Sequence, residues 1–288
     1  MKAKTYPAPV KLSPSTIITA LSCARKYKYR YIDDLESATT SARFAFGRAA
    51  HKAIEFAYGR RKTPPDADAV ADVFTQHFAA LDAQGIIYKE KENHEDLDAK
   101  GRALVALWWE TYGEDVCAVA DEPLIVEACL THDVEVGLTL FGHPDVVEER
   151  DGLLYVGDHK TLAQWGPSWE TMVAQSVQLT LYGYLVKQKL GRYPDVYYWT
   201  VLKKTKTPEA FRYFTQRTPA DIDAFADTAR AVAAQIRFWA ERGEYLCNSS
   251  LECYRCQFSA LCLGLEGADG FFKRRERRGD EPTDENEE

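Results

Sequence analysis

The sequence predicts an α/β protein with helices added on the N-terminal side of its core. Residues 13–112 show helical periodicity, and Ser13-Pro14 is a helix-start signal in which an N-cap residue precedes a proline. From about residue 124 the pattern changes to alternating positions or short apolar runs, which are typical of strands. The resulting order of helices, three strands, helix, strands and helix indicates one α/β core.

Each element follows from a local signal. Helices are predicted at 13–32, 44–61, 66–83, 95–112, 168–190 and 219–242. Strands are predicted at 124–136, 138–149, 153–160, 196–203 and 210–216, with Asp151-Gly152 as the tight turn of a hairpin. We expect a single domain over residues 1–272, with a helical part at 13–112, an α/β core at 122–242 and a cysteine-bearing segment at 246–263. Residues 273–288 form a charged tail that we expect to be disordered.

The composition excludes several classes of protein. Of the 288 residues, 45% are hydrophobic and 28% are charged, which excludes disorder for the bulk of the chain and fibrous repeats. No apolar stretch approaches the roughly 20 residues that cross a bilayer, so we expect no membrane partner. The first ten residues carry no apolar secretory segment, and we therefore expect a cytoplasmic protein.

The charge leaves a nucleic-acid partner open. The net charge is −8, but six of the acids lie within Gly279 to Glu288. Basic residues are clustered at 25–30, at 60–62 and at Lys203, Lys204 and Lys206. Such clusters can contact phosphates, and they can equally be solvated helix faces and loop ends.

The seven cysteines point to metal or redox use, because we expect an intracellular chain in which a disulfide framework is unusual. Cys253, Cys256 and Cys262 form a C-x₂-C-x₅-C pattern, and Cys23 lies far upstream. Closely spaced thiolates on a turn can converge on one ion or cluster. Sets of four thiolates hold both zinc and iron–sulfur clusters, so the spacing does not choose between them.

Two carboxylates and a lysine are expected to converge on the predicted hairpin. Asp158 and Lys160 are two residues apart on one strand and therefore share a face. A hairpin closed at Asp151-Gly152 places Asp145 near the level of Asp158. Two acids held together are costly unless a cation lies between them, and oxygen ligands suit Mg²⁺ or Mn²⁺. The alternative is a solvated strand end with one ion pair.

Three further side chains are candidate site residues only if they lie beside these acids. His51 lies on a predicted helix, and its imidazole can complete a Mn²⁺ coordination shell. Gln178 and Tyr182 share a helix face at positions i and i+4. Alone, each of the three would be an ordinary structural residue.

The ordered set of motifs resembles RecB-like nucleases of the PD-(D/E)XK superfamily. Its members are Gly47-x₃-His51, Gly142-x₂-Asp145, Asp158-x-Lys160 and Gln178-x₃-Tyr182. The four cysteines are similar to the iron–sulfur segment of the AddB nuclease domain and of CRISPR adaptation nucleases. Together the motifs extend over about 13–262, and the resemblance implies the restriction-endonuclease-like core, a central mixed sheet flanked by helices.

The resemblance implies a role for each matching position. Asp145 and Asp158 would bind the metal together with the His51 side chain and the backbone carbonyl of His159. Lys160 would orient or activate the attacking water. His159 departs from the aromatic or aliphatic residue usual in the family, which matters little because only its backbone is needed.

Other implied roles concern the cleft and the cysteines. Gln178 and Tyr182 would line the cleft and position DNA, and Glu127 matches an acid often found before the first aspartate. The resemblance favours a [4Fe–4S] cluster held by Cys23 and the C-terminal trio, with zinc as the other occupant. Cys247 is a possible substitute ligand.

The leading hypothesis is therefore a metal-dependent DNA exonuclease in recombination, repair or phage DNA processing. A G-x₄-G-K-[ST] helicase motif is absent from the sequence, so unwinding duplex DNA would need a helicase or recombination partner. The alternatives are a CRISPR adaptation nuclease, a non-catalytic DNA-binding or assembly protein that keeps the fold, and a redox iron–sulfur protein. The oligomeric state is not predicted.

Overall fold

The computed structural model describes residues 9–121, 124–162, 168–205 and 207–275. Within these residues the chain divides into two compact units. The first comprises residues 9–39, 131–142 and 223–275, and the second comprises residues 40–130 and 143–222. The prediction of one domain over 1–272 stays a prediction.

The described residues include ten α-helices. The described α-helices are α1 (Pro14–Ser22), α2 (Ala24–Tyr27), α3 (Ala42–Gly59), α4 (Ala67–Asp82), α5 (His94–Cys117), α6 (Trp169–Ala174), α7 (Val177–Leu190), α8 (Pro219–Asp223), α9 (Phe225–Arg242) and α10 (Ser259–Cys262). Shorter turns of π- and 3₁₀-helix occur at Lys28–Ile32, Leu251–Arg255 and Ala268–Phe271. None of the helices in the described part of the chain has the length and apolarity to span a membrane.

The strands build one five-stranded sheet and three smaller sheets. They are β1 (Val10–Leu12), β2 (Leu35–Ser37), β3 (Thr40–Ser41), β4 (Ile86–Ile87), β5 (Ile125–Val126), β6 (Leu130–Glu135), β7 (Leu138–Gly142), β8 (Val146–Arg150), β9 (Leu153–Leu162), β10 (Val196–Lys203), β11 (Glu209–Thr215) and β12 (Phe272–Arg274).

The second unit contains the five-stranded sheet, in the order β11-β10-β9-β8-β5. Strands β9 and β10 are parallel, and the other neighbours in this sheet are antiparallel. The sheet is therefore mixed, and helices pack against it, which confirms the predicted α/β fold class. The predicted turn at Asp151-Gly152 joins β8 to β9, and both residues have the positive φ angles of a type I′ hairpin (50° and 77°).

The core of this unit lies where α3, α4 and α5 pack against one another and against the sheet. Helix α3 buries a stripe of alanines at helical spacing, which lets its backbone approach its neighbours closely. Large rings fill the remaining space, and the fully buried ones include Phe46, Phe74, Phe78 and Trp108. This packing fixes the position of α3, the helix that carries His51.

The first unit contains a three-stranded sheet in the order β1-β7-β6 and a two-stranded sheet of β2 and β12. Helices α1 and α9 pack together, and α9 also packs on β1 and β7. Strand β12 includes Lys273 and Arg274, which pair with Glu36 and Leu35. The predicted tail therefore does not begin at residue 273, and its residues 276–288 lie outside the described residues.

Several predicted elements are interrupted at one or a few residues. The helix predicted over 13–32 breaks at Cys23, whose backbone is extended (φ −165°, ψ 120°). The strand predicted over 138–149 breaks between Gly142 and Val146, so that Asp145 lies in a connection instead of a strand middle. The helix predicted over 168–190 restarts at Ser176, whose hydroxyl accepts a hydrogen bond from the Leu179 amide.

Other differences are local. The strand predicted over 124–136 is divided into β5 and β6, and the helix predicted over 219–242 is divided into α8 and α9. Helix α5 continues to Cys117, five residues beyond its predicted end. The strand predicted over 196–203 has the predicted bounds.

Candidate active site

Asp145, the residue just before β8, and Asp158 on β9 lie opposite each other. Val146 on β8 pairs with Gly157 on β9, so the residues that precede and follow this pair are opposite each other. The side chains are 5% and 1% exposed, respectively. An Asp145 carboxylate oxygen accepts the backbone amide of His159, which fixes its direction. The hairpin register therefore brings the two predicted carboxylates together.

His51 reaches these acids from α3. Its Nδ1 lies 3.1 Å from Glu127 Oε1 and 3.5 Å from Asp145 Oδ1. One ligand atom from each of these three residues lies within 4.8 Å of the others. Among the described residues this is the group of histidine, cysteine and acidic side chains close enough to hold one metal ion. Glu127, a secondary match in the sequence, belongs to it, and Asp158 does not.

The other nitrogen of His51 is occupied by the backbone. Nε2 lies 3.0 Å from the carbonyl oxygen of His159, which can only accept, so Nε2 carries the proton and donates it. A histidine held in this way by a carbonyl presents its other nitrogen to a metal. The predicted role of the His159 carbonyl as a metal ligand stays a prediction.

The electrostatics of this group favour a cation. Burial lowers the pKa of His51, but Asp145, Glu127 and Asp158 outweigh it and raise the pKa to about 9. Burial raises the pKa of Asp145 well above its usual range, and the charges of Asp158 and Glu127 raise it further against the His51 cation. Both raised pKa values reflect acids held close together in a buried site. A hard divalent cation would fit the same imidazole and carboxylate donors.

Lys160 lies at the other side of Asp158. Its Nζ is 3.0 Å from Asp158 Oδ2 and donates to Gln178 Oε1 at 2.9 Å. Gln178 Nε2 in turn donates to the hydroxyl of Tyr182 at 2.9 Å. Trp199, which sequence reasoning did not single out, places its ring centroid 5.7 Å from Nζ. The predicted pair Gln178 and Tyr182 thus forms a chain of hydrogen bonds that orients the Lys160 ammonium.

Tyr182 and the His159 ring are buried neutral groups. Tyr182 is 4% exposed, and burial together with Asp158 and Asp145 raises its pKa well above the usual range. The His159 ring packs edge-on against Trp108, with ring centroids 5.8 Å apart. Burial lowers the pKa of His159 well below its usual range, so the ring is neutral and supports the strand by packing.

Five of the seven cysteines belong to the first unit. Cys23 lies at the break between α1 and α2, and its Sγ accepts from the Asn248 amide at 3.4 Å. The Cys253 thiol donates to the backbone carbonyl oxygen of Asn248 at 3.6 Å. Cys262 Sγ lies 3.5 Å from Cys247 Sγ. The fifth is Cys256, whose backbone amide closes the 3₁₀ turn that begins the trio.

The first unit also stabilises thiolate character at Cys23. Burial raises its pKa, but the backbone amides of Asn248, Lys26 and Arg25 outweigh this and lower it. Arg25 Nη1 donates to Cys262 Sγ at 3.7 Å. Within the described residues no three cysteines bring their sulfurs within 4.8 Å of one another. Cys117 and Cys129 are exposed and belong to the second unit.

The position of Glu127 had little signal in the sequence. Val126 on the short strand β5 pairs with Val146, and Glu127 then adopts a positive φ of 48° while its amide donates to the Asp145 carbonyl at 3.1 Å. A non-glycine residue in this conformation is uncommon and marks a site where the surroundings fix the backbone. Propensity favours a continuous strand here, which would turn the carboxylate elsewhere.

Comparison with known proteins gives a family and a fold. The sequence matches the PD-(D/E)XK nuclease superfamily over residues 11–263. A crystal structure of a candidate exonuclease from Eubacterium rectale is similar with a TM-score of 0.51 and 13% identity, covering 85% of this chain and 87% of that one. The structure of SSO0001 matches with a TM-score of 0.40 and 12% identity, covering 88% and 86%.

The comparison with curated proteins gives no match. The family match nevertheless covers well over half of the chain, and it includes every residue of the candidate site. The mixed sheet and its flanking helices agree with that match. This chain belongs to the PD-(D/E)XK nuclease superfamily.

Proposed function

We propose that the protein hydrolyses phosphodiester bonds in DNA as a metal-dependent exonuclease that acts on ends or single strands. A nuclease fold implies a nucleic-acid substrate. The observation that carries the proposal is the position of Lys160, whose ammonium lies 3.0 Å from Asp158 next to the group of His51, Glu127 and Asp145. A partly buried lysine beside a set of metal-binding oxygens is an arrangement that suits metal-assisted hydrolysis.

The metal would be Mg²⁺ or Mn²⁺, held by His51 Nδ1, Glu127 and Asp145, with Asp158 completing the site. The donor set fits, because one ligand atom from each of His51, Glu127 and Asp145 lies within 4.8 Å of the others, and the acids around His51 raise its pKa to about 9. A bound divalent ion would polarise the phosphate and lower the pKa of a water molecule.

The protein groups around the metal have separate tasks. Lys160 would orient the attacking water and stabilise the negative charge that develops on the phosphate. Gln178 accepts from its ammonium, and Tyr182 fixes Gln178 in turn. Asp158 pairs with the Lys160 ammonium at 3.0 Å and would hold it at the position where it acts.

The pathway we propose is recombination, repair or phage DNA processing. Unwinding would come from a separate helicase or recombination partner, because the chain has no P-loop motif. A CRISPR adaptation nuclease would use the same site and is the alternative to this pathway.

We further propose that Cys23, Cys253, Cys256 and Cys262 hold a [4Fe–4S] cluster that ties α1 to the C-terminal segment. The support is that all four lie in one compact unit and that the amides around Cys23 favour its thiolate. Iron and sulfide analysis of anaerobically purified protein tests this, with Cys117→Ser as the control for Cys256→Ser. Zinc without iron in the wild type would replace the cluster by a zinc site.

The nuclease itself is tested with end-labelled single- and double-stranded DNA in Mn²⁺, Mg²⁺ or EDTA. Wild-type protein should release label only with a divalent metal, and Lys160→Ala should abolish release. Lys187→Ala is the matched control. Lys187 also lies over an aromatic ring, that of Tyr193, but it is near the C-terminal end of α7, whereas Gln178 is near the N-terminal end. Equal inertness of wild type and Lys160→Ala with retained DNA binding would favour the non-catalytic binding protein.

A further inference from the structure

The first turns of α3 lead from the candidate active site to a second cluster of charged residues. Arg43, Gly47 and His51 are spaced by four and therefore share one face of α3. At 1.5 Å per residue, Arg43 lies about 12 Å along the helix from His51. Arg43 is exposed, and it forms no ion pair with any acid in the described part of the chain.

The second residue of this charged cluster is Lys204, which directly follows β10. Val201 pairs with Lys160, and Lys203 pairs with Leu162, so Lys204 is three positions beyond the level of the lysine in the active site. At about 3.3 Å per residue this is about 10 Å. The Lys204 amide still donates to the Leu162 carbonyl at 2.8 Å, which fixes its backbone to the end of β9.

Contacts between α3 and the sheet follow one another in order along this path. His51 Nε2 meets the His159 carbonyl at 3.0 Å. Gly47 comes next, because a Cβ there would lie 3.4 Å from Thr161 Oγ1. Phe46 then places its ring centroid 4.4 Å from Lys204 Nζ. The path from the metal-binding group to Lys204 is therefore continuous within the second unit.

The third cation of this cluster is Lys89, two residues after β4. Strands β3 and β4 are parallel, with Thr40 opposite Ile86 and Ser41 opposite Ile87. The residues two positions beyond each strand are Arg43 and Lys89, which therefore leave the pair at the same end.

The cluster has more positive than negative charge. The positive charges of Arg43 and Lys89 both lower the pKa of Lys204, and one acid, Glu92, raises it. The Lys204 ammonium has no carboxylate within ion-pair distance among the described residues. Burial first, and then Arg43, lower the pKa of Lys204 to about 8. A half-buried ammonium beside other cations needs an anion to balance it.

We propose that Arg43 and Lys204, assisted by Lys89, bind a backbone phosphate of the nucleic acid at a subsite about 10 Å from the cleaved bond. This inference rests on the proposed function for the identity of the ligand. Arginine provides a fork of donors and lysine a point charge, the combination that phosphates accept. A subsite about 10 Å from the cleaved bond contacts a phosphate beyond the one that is cleaved. The enzyme would thus require a polynucleotide instead of a mononucleotide.

The test is the salt dependence of binding in EDTA, where cleavage is prevented, with a fluorescent 12-nucleotide oligothymidylate as the probe. Each phosphate contact with a single strand contributes about 0.7 to the slope of log affinity against log salt. Because both side chains would bind the same phosphate, the double variant Arg43→Gln/Lys204→Gln should lower the slope by about 0.7 and weaken binding about tenfold. Lys187→Gln, a lysine over the ring of Tyr193, should keep the wild-type slope.

A length series and a conservative variant separate this role from folding. The difference between wild type and double variant should shrink as the oligonucleotide becomes too short to span about 10 Å. Lys204→Arg should restore most of the slope that Lys204→Gln loses, because it keeps the charge. Thermal melts verify that each variant is folded.

The outcomes distinguish this inference from the proposed function. If wild type cleaves DNA but the folded double variant keeps the wild-type slope and affinity, the phosphate subsite is wrong and the nuclease stands. If the slope falls as expected but wild type cleaves nothing in Mn²⁺, the subsite stands as a DNA-binding site and the nuclease is wrong.

Discussion

The His51 side chain donates from Nε2 to the carbonyl oxygen of His159 at 3.0 Å, and this bond decides which nitrogen faces the acids. Nδ1 is left 3.1 Å from Glu127 and 3.5 Å from Asp145. The bond also joins α3 to the strand that carries Asp158 and Lys160. A helix and a strand far apart in sequence thus provide one binding site.

The first prediction concerns His51 as a metal ligand. His51→Ala removes Nδ1 from the group and leaves two carboxylates without the imidazole, so the dissociation constant for Mn²⁺ should rise about tenfold or more. Electron paramagnetic resonance of free Mn²⁺ measures this directly. Lys52→Ala is the control, because Lys52 is the next residue on α3 and pairs with Glu55. Equal affinities in both variants would remove His51 from the site.

The second prediction concerns the charge of Glu127. Glu127→Gln keeps the size of the side chain but removes one of the carboxylates that raise the pKa of His51 to about 9. The pKa of His51 in metal-free protein should therefore fall by about one unit, equivalent to about 1.4 kcal/mol. A proton NMR titration of the His51 ring measures it.

Glu149→Gln is the comparison variant for that titration. Its carboxylate pairs with Arg192, and it should leave the titration of His51 as in the wild type. An unchanged pKa in Glu127→Gln would mean that the positive-φ conformation does not hold this carboxylate against the imidazole in solution.

The juxtaposition of Asp145 and Asp158 could be predicted from the sequence because it depends on a local turn. Asp151-Gly152 fixes the register of the hairpin, and the register fixes which residues are opposite each other. Strand β10 was equally accessible, since its buried run ends at clear boundaries. Both features follow from interactions within a few residues.

The place of Glu127 and the breaks in the long elements could not be predicted in this way. Glu127 depends on the pairing of a two-residue strand with β8 and on a backbone conformation that propensity disfavours. The breaks at Cys23 and Ser176 interrupt helical patterns that continue on both sides. Tertiary contacts and side-chain caps decide these points, and a periodic pattern does not contain them.

The third prediction concerns Gly157, the residue before Asp158. A Cβ at this position would lie 2.3 Å from the ring of Tyr198, which is buried and donates to Glu148 at 2.9 Å. Gly157→Ala should therefore displace the ring and lower the free energy of unfolding by about 1–3 kcal/mol. Urea denaturation measures this loss.

Gly59→Ala is the matched substitution for this experiment. Nothing lies within 4 Å of a Cβ at Gly59, and Gly59 is the last residue of α3. The free energy of unfolding of the Gly59→Ala variant should therefore be equal to that of the wild type or slightly higher. Equal stability of the two variants would mean that the β9 backbone can shift away from Tyr198.

The fourth prediction concerns the cost of keeping a charge at Lys204. Burial and Arg43 lower the pKa of Lys204 to about 8 in the folded protein, below the value of about 10.4 in the unfolded chain. Below pH 8 the lysine is charged in both states, and the folded state bears the full cost. As the pH rises from about 8 to about 10.4 the unfolded chain binds more protons than the folded one, so this residue's contribution to stability increases.

Lys204→Met keeps the length of the side chain and its contact with Phe46 but removes the charge. The variant should be more stable than wild type by about 1–2 kcal/mol at pH 7, after allowance for the partial exposure of the ammonium. The difference should disappear above about pH 10, as measured by urea denaturation across the range. A difference independent of pH would mean that Lys204 is not desolvated. A stabilising change that weakens DNA binding is the signature of a residue kept for function.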